Sequence, residues 1–246
     1  MSRKGRTRTG RVARAPLESE VRGWLEEATR TLRRTTRACA GPVAAAAEVV
    51  IGSLETGGTI YFCGNGGSAA DAQHLAAEFA GRFMRERTPL GAVALTTNSS
   101  AVTAIGNDYG YDEVFSRQLE GLGTPGDVLI AITTSGSAES VRRAVHTAHR
   151  LGMTVIGMTG ARGGAFAALC DVALATPHTV TSHVQEGHIA MGHALCLVVE
   201  RALFPESRAG GGRDGHARPA GRGARTGVRG TRAGVGRVGK RARSRR

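Results

Sequence analysis

Residues 61–79 read YFCGNGGSAADAQHLAAEF. The stretch opens as an apolar strand, turns through Gly64-Asn65-Gly66-Gly67-Ser68, and runs directly into a helix carrying His74 and Glu78. Small residues at a strand-to-helix turn let backbone N–H groups approach an anion, and the helix dipole favours negative charge at that end. His74 and Glu78 lie four residues apart, about 40° around a helix and roughly 6 Å along its axis, so they share one face. A phosphate cradle followed two turns later by a His–carboxylate pair outlines a sugar-phosphate site.

Working outward, short apolar runs of strand length recur at Ile60–Cys63, Ala92–Leu95, Val128–Ile132, Thr154–Met158 and Val172–Ala175. Helical spacing connects them near 67–84, 99–107, 113–121, 138–151 and 163–169, and a long last helix fits Ser182 to Leu203, before Pro205. Ahead of the first strand, Leu17, Val21, Leu25, Ala28 and Leu32 predict one helix to about Thr36. Pro42 at a first-turn position predicts a second helix over Val43–Leu54. Uninterrupted apolar strands alternating with helices indicate an α/β fold, a five-stranded parallel sheet covered on both faces. Such sheets bind ligands beyond the carboxyl ends of their strands, near a topological switch point.

The net charge of +13 is unevenly spread. Residues 1–15 contribute +6 and residues 208–246 contribute +12, leaving −5 for residues 16–207. An acidic body between basic tails argues against a nucleic-acid role for the folded part. The second tail, almost wholly Gly, Arg, Ala, Val and Thr, has no apolar period and no aromatic residue. It is expected to be disordered, as is the first. Nonspecific Arg–phosphate contact with RNA or DNA is the only nucleic-acid activity the tails suggest, against a reading of simple compositional drift. Four cysteines without metal-type spacing suit a reducing cytoplasm, and no apolar run reaches membrane-span length, the longest being Ile189–Val199.

A second anion loop, Thr133-Thr134-Ser135-Gly136-Ser137, joins the strand DVLIAI to a helix beginning near Ala138. Alone it reads as ordinary helix capping; on a strand neighbouring the 64–68 loop it becomes the other half of a cradle. The GxGxxG dinucleotide spacing is missing, and so is an acidic ribose contact after the next strand. The last helix sets His183, Gln185, Glu186, His188 and His193 in an apolar segment. Buried groups of this kind need partners, and His74 and Glu78 are candidates, through a proton network or a shared metal.

From about residue 17 to 205 the chain resembles phosphoheptose isomerases of the sugar isomerase (SIS) fold. The resemblance rests on YFCGNGGSAADAQHLAAEF, AIGNDYGYDEVFSRQ (104–118), GDVLIAITTSG (126–136) and HVQEGHIAMGH (183–193). It implies a three-layer αβα SIS domain over 16–205 with N-terminal helices and a long C-terminal helix, flanked by tails at 1–15 and 206–246. It further implies a cytoplasmic homotetramer converting D-sedoheptulose 7-phosphate to D-glycero-D-manno-heptose 7-phosphate through an enediol. By motif, Glu78 is then the base between C1 and C2, and His193 the acid/base partner at the oxygens. Zinc, one per subunit, falls to His74, Glu78, Gln185 and His193. Substrate contacts fall to Asn65, Gly66, Gly67, Ser68, Glu78, Asn107, Asp108, Thr133, Thr134, Ser135 and Gln185.

Two departures stand out. The family usually has a serine where this chain has Ala138, which shifts the expected phosphate grip toward Ser137 or backbone N–H groups. It often has Arg-Ile where this chain has His183-Val184. Gln185 and His193 are also eight residues apart, about 12 Å along one helix, too far to share an ion with ligand bonds of about 2.1 Å. Either this helix breaks, or the site draws on two subunits. The alternative function is a noncatalytic SIS protein that binds a replication initiator or senses sugar phosphates. Presence of both Glu78 and His193 favours the enzyme.

Overall fold

The computed structural model describes residues 14–205; Arg14 and Ala15, expected in the first disordered tail, already belong to a helix, and the rest of both expected tails lies outside that range. The elements run α1 (Arg14–Glu55), β1 (Ile60–Gly64), α2 (Gly67–Ala80), β2 (Ala92–Ala94), α3 (Ser99–Asp108), a 3₁₀ turn (Tyr111–Glu113) and α4 (Ser116–Leu122). They continue with β3 (Val128–Ile132), α5 (Glu139–Arg150), β4 (Thr154–Gly160), α6 (Gly164–Ala167), β5 (Val172–Thr176) and α7 (Thr181–Leu203).

The five strands form one parallel sheet in the order β2-β1-β3-β4-β5. Alternate side chains of each strand feed opposite cores. Ile60, Phe62, Val128, Ile130, Ile156 and Met158 meet α1, α2 and α7. Tyr61, Cys63, Leu129, Ala131 and Val155 meet α4, α5 and α6. Burial on both faces is why β1 and β3 read as unbroken apolar runs. The three-layer architecture expected from the sequence is therefore present.

The chain leaves β1 toward β2 on one side, then returns to lay β3 against the other. The switch point thus lies between β1 and β3, and connections that depart in opposite directions leave a crevice at their carboxyl ends. Both anion loops follow these two strands.

The expectation of two N-terminal helices is not met: α1 is continuous, with Pro42 inside it. Proline there forgoes one backbone hydrogen bond and crowds the preceding turn, costing about 3 kcal/mol. Pro42 sits among Cys39, Val43, Ala46, Ala47 and Val50, all buried against the sheet and α7. Apolar burial on both sides of the proline holds the two halves in one helix. This helix also contains the one window, among the described residues, long and apolar enough to cross a membrane by length and composition. It exceeds Ile189–Val199 as an apolar segment; Cys39, Val43, Ala46, Ala47 and Val50 pack into the domain core, whereas other apolar residues of the helix are exposed.

Candidate active site

A cavity of about 340 Å³ opens at the switch point, lined by Asn65, Gly66, Gly67, Ser68, Ile132, Thr133, Thr134, Ser135, Ala138, Thr181 and Gln185. The N-terminus of α2 enters it directly, bringing its positive dipole end. The second loop is held by β4: the Thr133 N–H donates to Met158 O (2.9 Å) and the Gly160 N–H to Thr134 O (3.1 Å). A Cβ at Gly67 would stand 2.2 Å from Gln185 Nε2, so any larger residue there would push the Gln185 amide aside. The bare backbone lets the Gln185 amide lie over the first turn of α2.

Asn65 is tied down by both ends of its amide. Its Nδ2 donates to Ser140 Oγ (2.9 Å), and its Oδ1 accepts from the Tyr111 hydroxyl (3.0 Å). The Asn65 side chain therefore anchors the loop, and the loop backbone is what faces the cavity. Ser137 is exposed and bonds Ser135 Oγ at 2.7 Å, while Ala138 takes the place on the cavity wall. Asn107 and Asp108 end α3 on the exposed surface and bond each other (2.7 Å), away from the cavity lining. Tyr111 links their segment to Asn65.

Two turns along α2, His74 and Glu78 meet His193 of α7. His74 Nε2 lies 2.8 Å from His193 Nε2 and 3.6 Å from Glu78 Oε1. With two ring nitrogens facing each other, one carries the proton and the other accepts it. The approach is allowed by Gly192, where a Cβ would stand 2.5 Å from Leu75 Cδ2. Phe83 packs beside His193, ring centroids 5.7 Å apart. One turn further, Cys196 is buried, and desolvation with the nearby Glu78 charge pushes its thiol up to about 12. It stays protonated and takes no part as a nucleophile.

The four metal-ligand candidates divide into two groups. His74, Glu78 and His193 come together, whereas Gln185 sits with the cradle against Gly67. Since α7 runs without interruption from Thr181 to Leu203, the expected helix break is absent. Within one chain Gln185 is a cavity residue. Two imidazoles and a carboxylate are a donor set suited to zinc, although among the described residues no group of three His, Cys, Asp or Glu is already arranged around an ion position.

Residues 23–160 match the SIS domain family. The phosphoheptose isomerase of Rhodospirillum rubrum is 52% identical over 187 residues, spanning 76% of this chain and 99% of that protein. The chain belongs to the phosphoheptose isomerase family of SIS-domain proteins. The structure of phosphoheptose isomerase from Neisseria gonorrhoeae matches with a TM-score of 0.71 at 46% identity, covering 75% of this chain and 98% of that one. A phosphoheptose isomerase from Francisella tularensis matches at 0.72 and 36% identity, covering 74% and 97%. The expected family and enzyme class thus hold.

This phosphoheptose isomerase family member also has polar residues that its sequence alone did not bring forward. Glu200 and Arg87 are buried together beyond the C-terminal end of α2, their side chains each 2% exposed. An acid inside the apolar run LCLVVERAL was a signal of this. His188 is fully buried with neither ring nitrogen in a well-formed hydrogen bond among the described residues, and burial, opposed more weakly by the Thr159 backbone, pushes its imidazole down to about 4, leaving it neutral.

Proposed function

We propose that the protein interconverts D-sedoheptulose 7-phosphate and D-glycero-D-manno-heptose 7-phosphate. The observation that carries the reading is the layout of α2: cradle at its first turn, His74 and Glu78 two to three turns on. Gly67 to His74 spans about 10 Å along the axis, comparable to the reach from the phosphate to the carbonyl end of an extended seven-carbon sugar phosphate.

In this reading the phosphate takes the cavity between Gly66–Ser68 and Thr133–Ser135, and Gln185 orients the adjoining hydroxyls. Glu78, half-buried, removes the C1 proton of the ketose and returns it to C2 of the enediol on the same face. His193, paired to His74, moves the proton between O1 and O2. His74 fixes which nitrogen of His193 carries the proton. Zinc is part of the proposal: His74, Glu78 and His193 are the residues that would hold it, with Gln185 contributed by a second copy. When bound, it supplies Lewis-acid polarisation of the carbonyl.

The second copy is itself supported by exposed apolar residues on α1. Leu17, Val21, Trp24, Leu25 and Leu32 recur at spacings of three, four and seven residues, so they form one stripe. An apolar cavity of about 280 Å³ between α1 and α7 continues it. We therefore propose a homotetramer, in which Gln185 reaches a neighbour's metal site. The four free cysteines support a cytoplasmic setting.

The test is to incubate the protein with sedoheptulose 7-phosphate and measure aldose product, with Glu78→Gln as control. Turnover that requires Glu78 is expected. No product in zinc-replete buffer overturns the reading and favours a noncatalytic binding protein.

A further inference from the structure

Between α2 and β2 lies the segment 81–91, GRFMRERTPLG. Its arginines and exposed Met84 give it the look of a solvated loop, yet its backbone and Arg87 are tied down by a dense set of hydrogen bonds. The Glu200 carboxylate, on the last turn of α7, accepts from the N–H groups of Phe83 (3.0 Å), Met84 (2.9 Å) and Arg85 (3.0 Å) and from Arg87 Nε (3.0 Å). The rest of the Arg87 guanidinium donates to the carbonyls of Glu78 (2.7 Å), Phe79 (3.0 Å), Gly81 (3.2 Å) and Thr88 (3.0 Å). Burial alone pushes the Glu200 carboxyl up, but the Met84 and Phe83 N–H groups, Arg87 and the Arg85 N–H together hold it below the ordinary value.

The carbonyls at the end of α2 have no partners within that helix. Arg87 takes two of them, one belonging to the proposed base Glu78, while its Nε holds Glu200 on α7. The same segment lays Phe83 against His193. One buried ion pair therefore joins the ends of the two helices that carry the reacting groups. The phosphate cradle lies at their opposite ends, with Gly67 and Gln185.

We infer that the Arg87–Glu200 pair and Phe83 are positioning residues for the isomerase site: they pin segment 81–91 to α7 and thereby set the separation of Glu78 and His74 from His193. This rests on the function proposed above. Because the clamp and the cradle sit at opposite ends of α2 and α7, it acts on turnover and leaves phosphate binding alone. Lysine cannot replace Arg87, since it has a point charge where the guanidinium has a planar fork of donors.

The experiment compares wild type, Arg87→Lys and Phe83→Ala by steady-state kinetics and by crystal structure. Phe83 is only half-buried, so its truncation leaves a foldable variant if Arg87→Lys does not fold. Expected is a fall in kcat of about tenfold or more with KM within about twofold, and a His74–His193 Nε2 separation longer than 2.8 Å. Unchanged kcat, or a raised KM at wild-type kcat, overturns the inference. The crystallographic distance separates the two ideas. A wild type without isomerase activity but with variants that lengthen the contact refutes the proposed function alone. An unchanged contact in the variants refutes the clamp.

Discussion

Gly192→Ala examines the helix packing on which the proton network depends. The added Cβ would lie 2.5 Å and 2.7 Å from the two methyls of Leu75, itself 1% exposed. Comfortable carbon contacts are 3.5–4.0 Å, so either Leu75 or α7 must give by about 1 Å. Leu75 is enclosed by the same core as Phe62 and Phe79, which limits its escape. Moving α7 by that amount takes the His74–His193 contact from 2.8 Å to about 3.8 Å, beyond hydrogen-bond range. Overpacking costs about 1–3 kcal/mol, but replacing glycine inside a helix returns about 1 kcal/mol. Stability should therefore fall by about 0–2 kcal/mol, no more than several degrees of melting temperature, whereas a displacement of about 1 Å at reacting groups can cost roughly 10²-fold in rate. The assay is kcat on sedoheptulose 7-phosphate beside a thermal melt. A melting temperature within several degrees of wild type with kcat down about 10²-fold is expected. Wild-type kcat in a well-folded Gly192→Ala protein refutes the reasoning.

Three further outcomes follow from named contacts. Glu200 has its carboxyl held below the usual 4.5, so the stability it contributes is present above that value and is lost as pH falls through the lower folded one. Thermal melts of wild type should fall steeply across that acid window, and those of Glu200→Gln should start lower and vary less. Ala138→Ser puts a hydroxyl on the cavity wall where the family usually has one. KM for the sugar phosphate should drop about tenfold or more, in line with about 1.5 kcal/mol or more from one added hydrogen bond to a charged group, measured by initial rates. Tyr111→Phe frees Asn65 Oδ1 and loosens the first loop; KM should rise about two- to fivefold while kcat holds.

The parts of this fold legible in the sequence are those set by local burial. β1, β3 and β4 are apolar without alternation because both faces are covered, and the glycines after β1 announce the anion loop. The continuity of α1 was hidden, because Pro42 is a helix start by local rule and only packing against α7 and the sheet overrides it. His74, Glu78 and His193 could be paired in advance from their motifs. The separation of Gln185 from that group could be worked out from helix rise, whereas the absence of a break in α7 could not. Arg87 and Glu200 lie 113 residues apart, and no local pattern predicts that they meet. Tyr111 and Asn65 are likewise joined only by the placement of α3 beside the first loop.

The most direct test of the central claim is the aldose formed from sedoheptulose 7-phosphate in D₂O. If Glu78 carries the proton from C1 to C2 through an enediol, the product holds solvent deuterium at C2 to the extent that the Glu78 carboxyl exchanges its proton during the life of the enediol, and Glu78→Gln forms no product. Product from Glu78→Gln at the wild-type rate, with or without solvent deuterium, contradicts it.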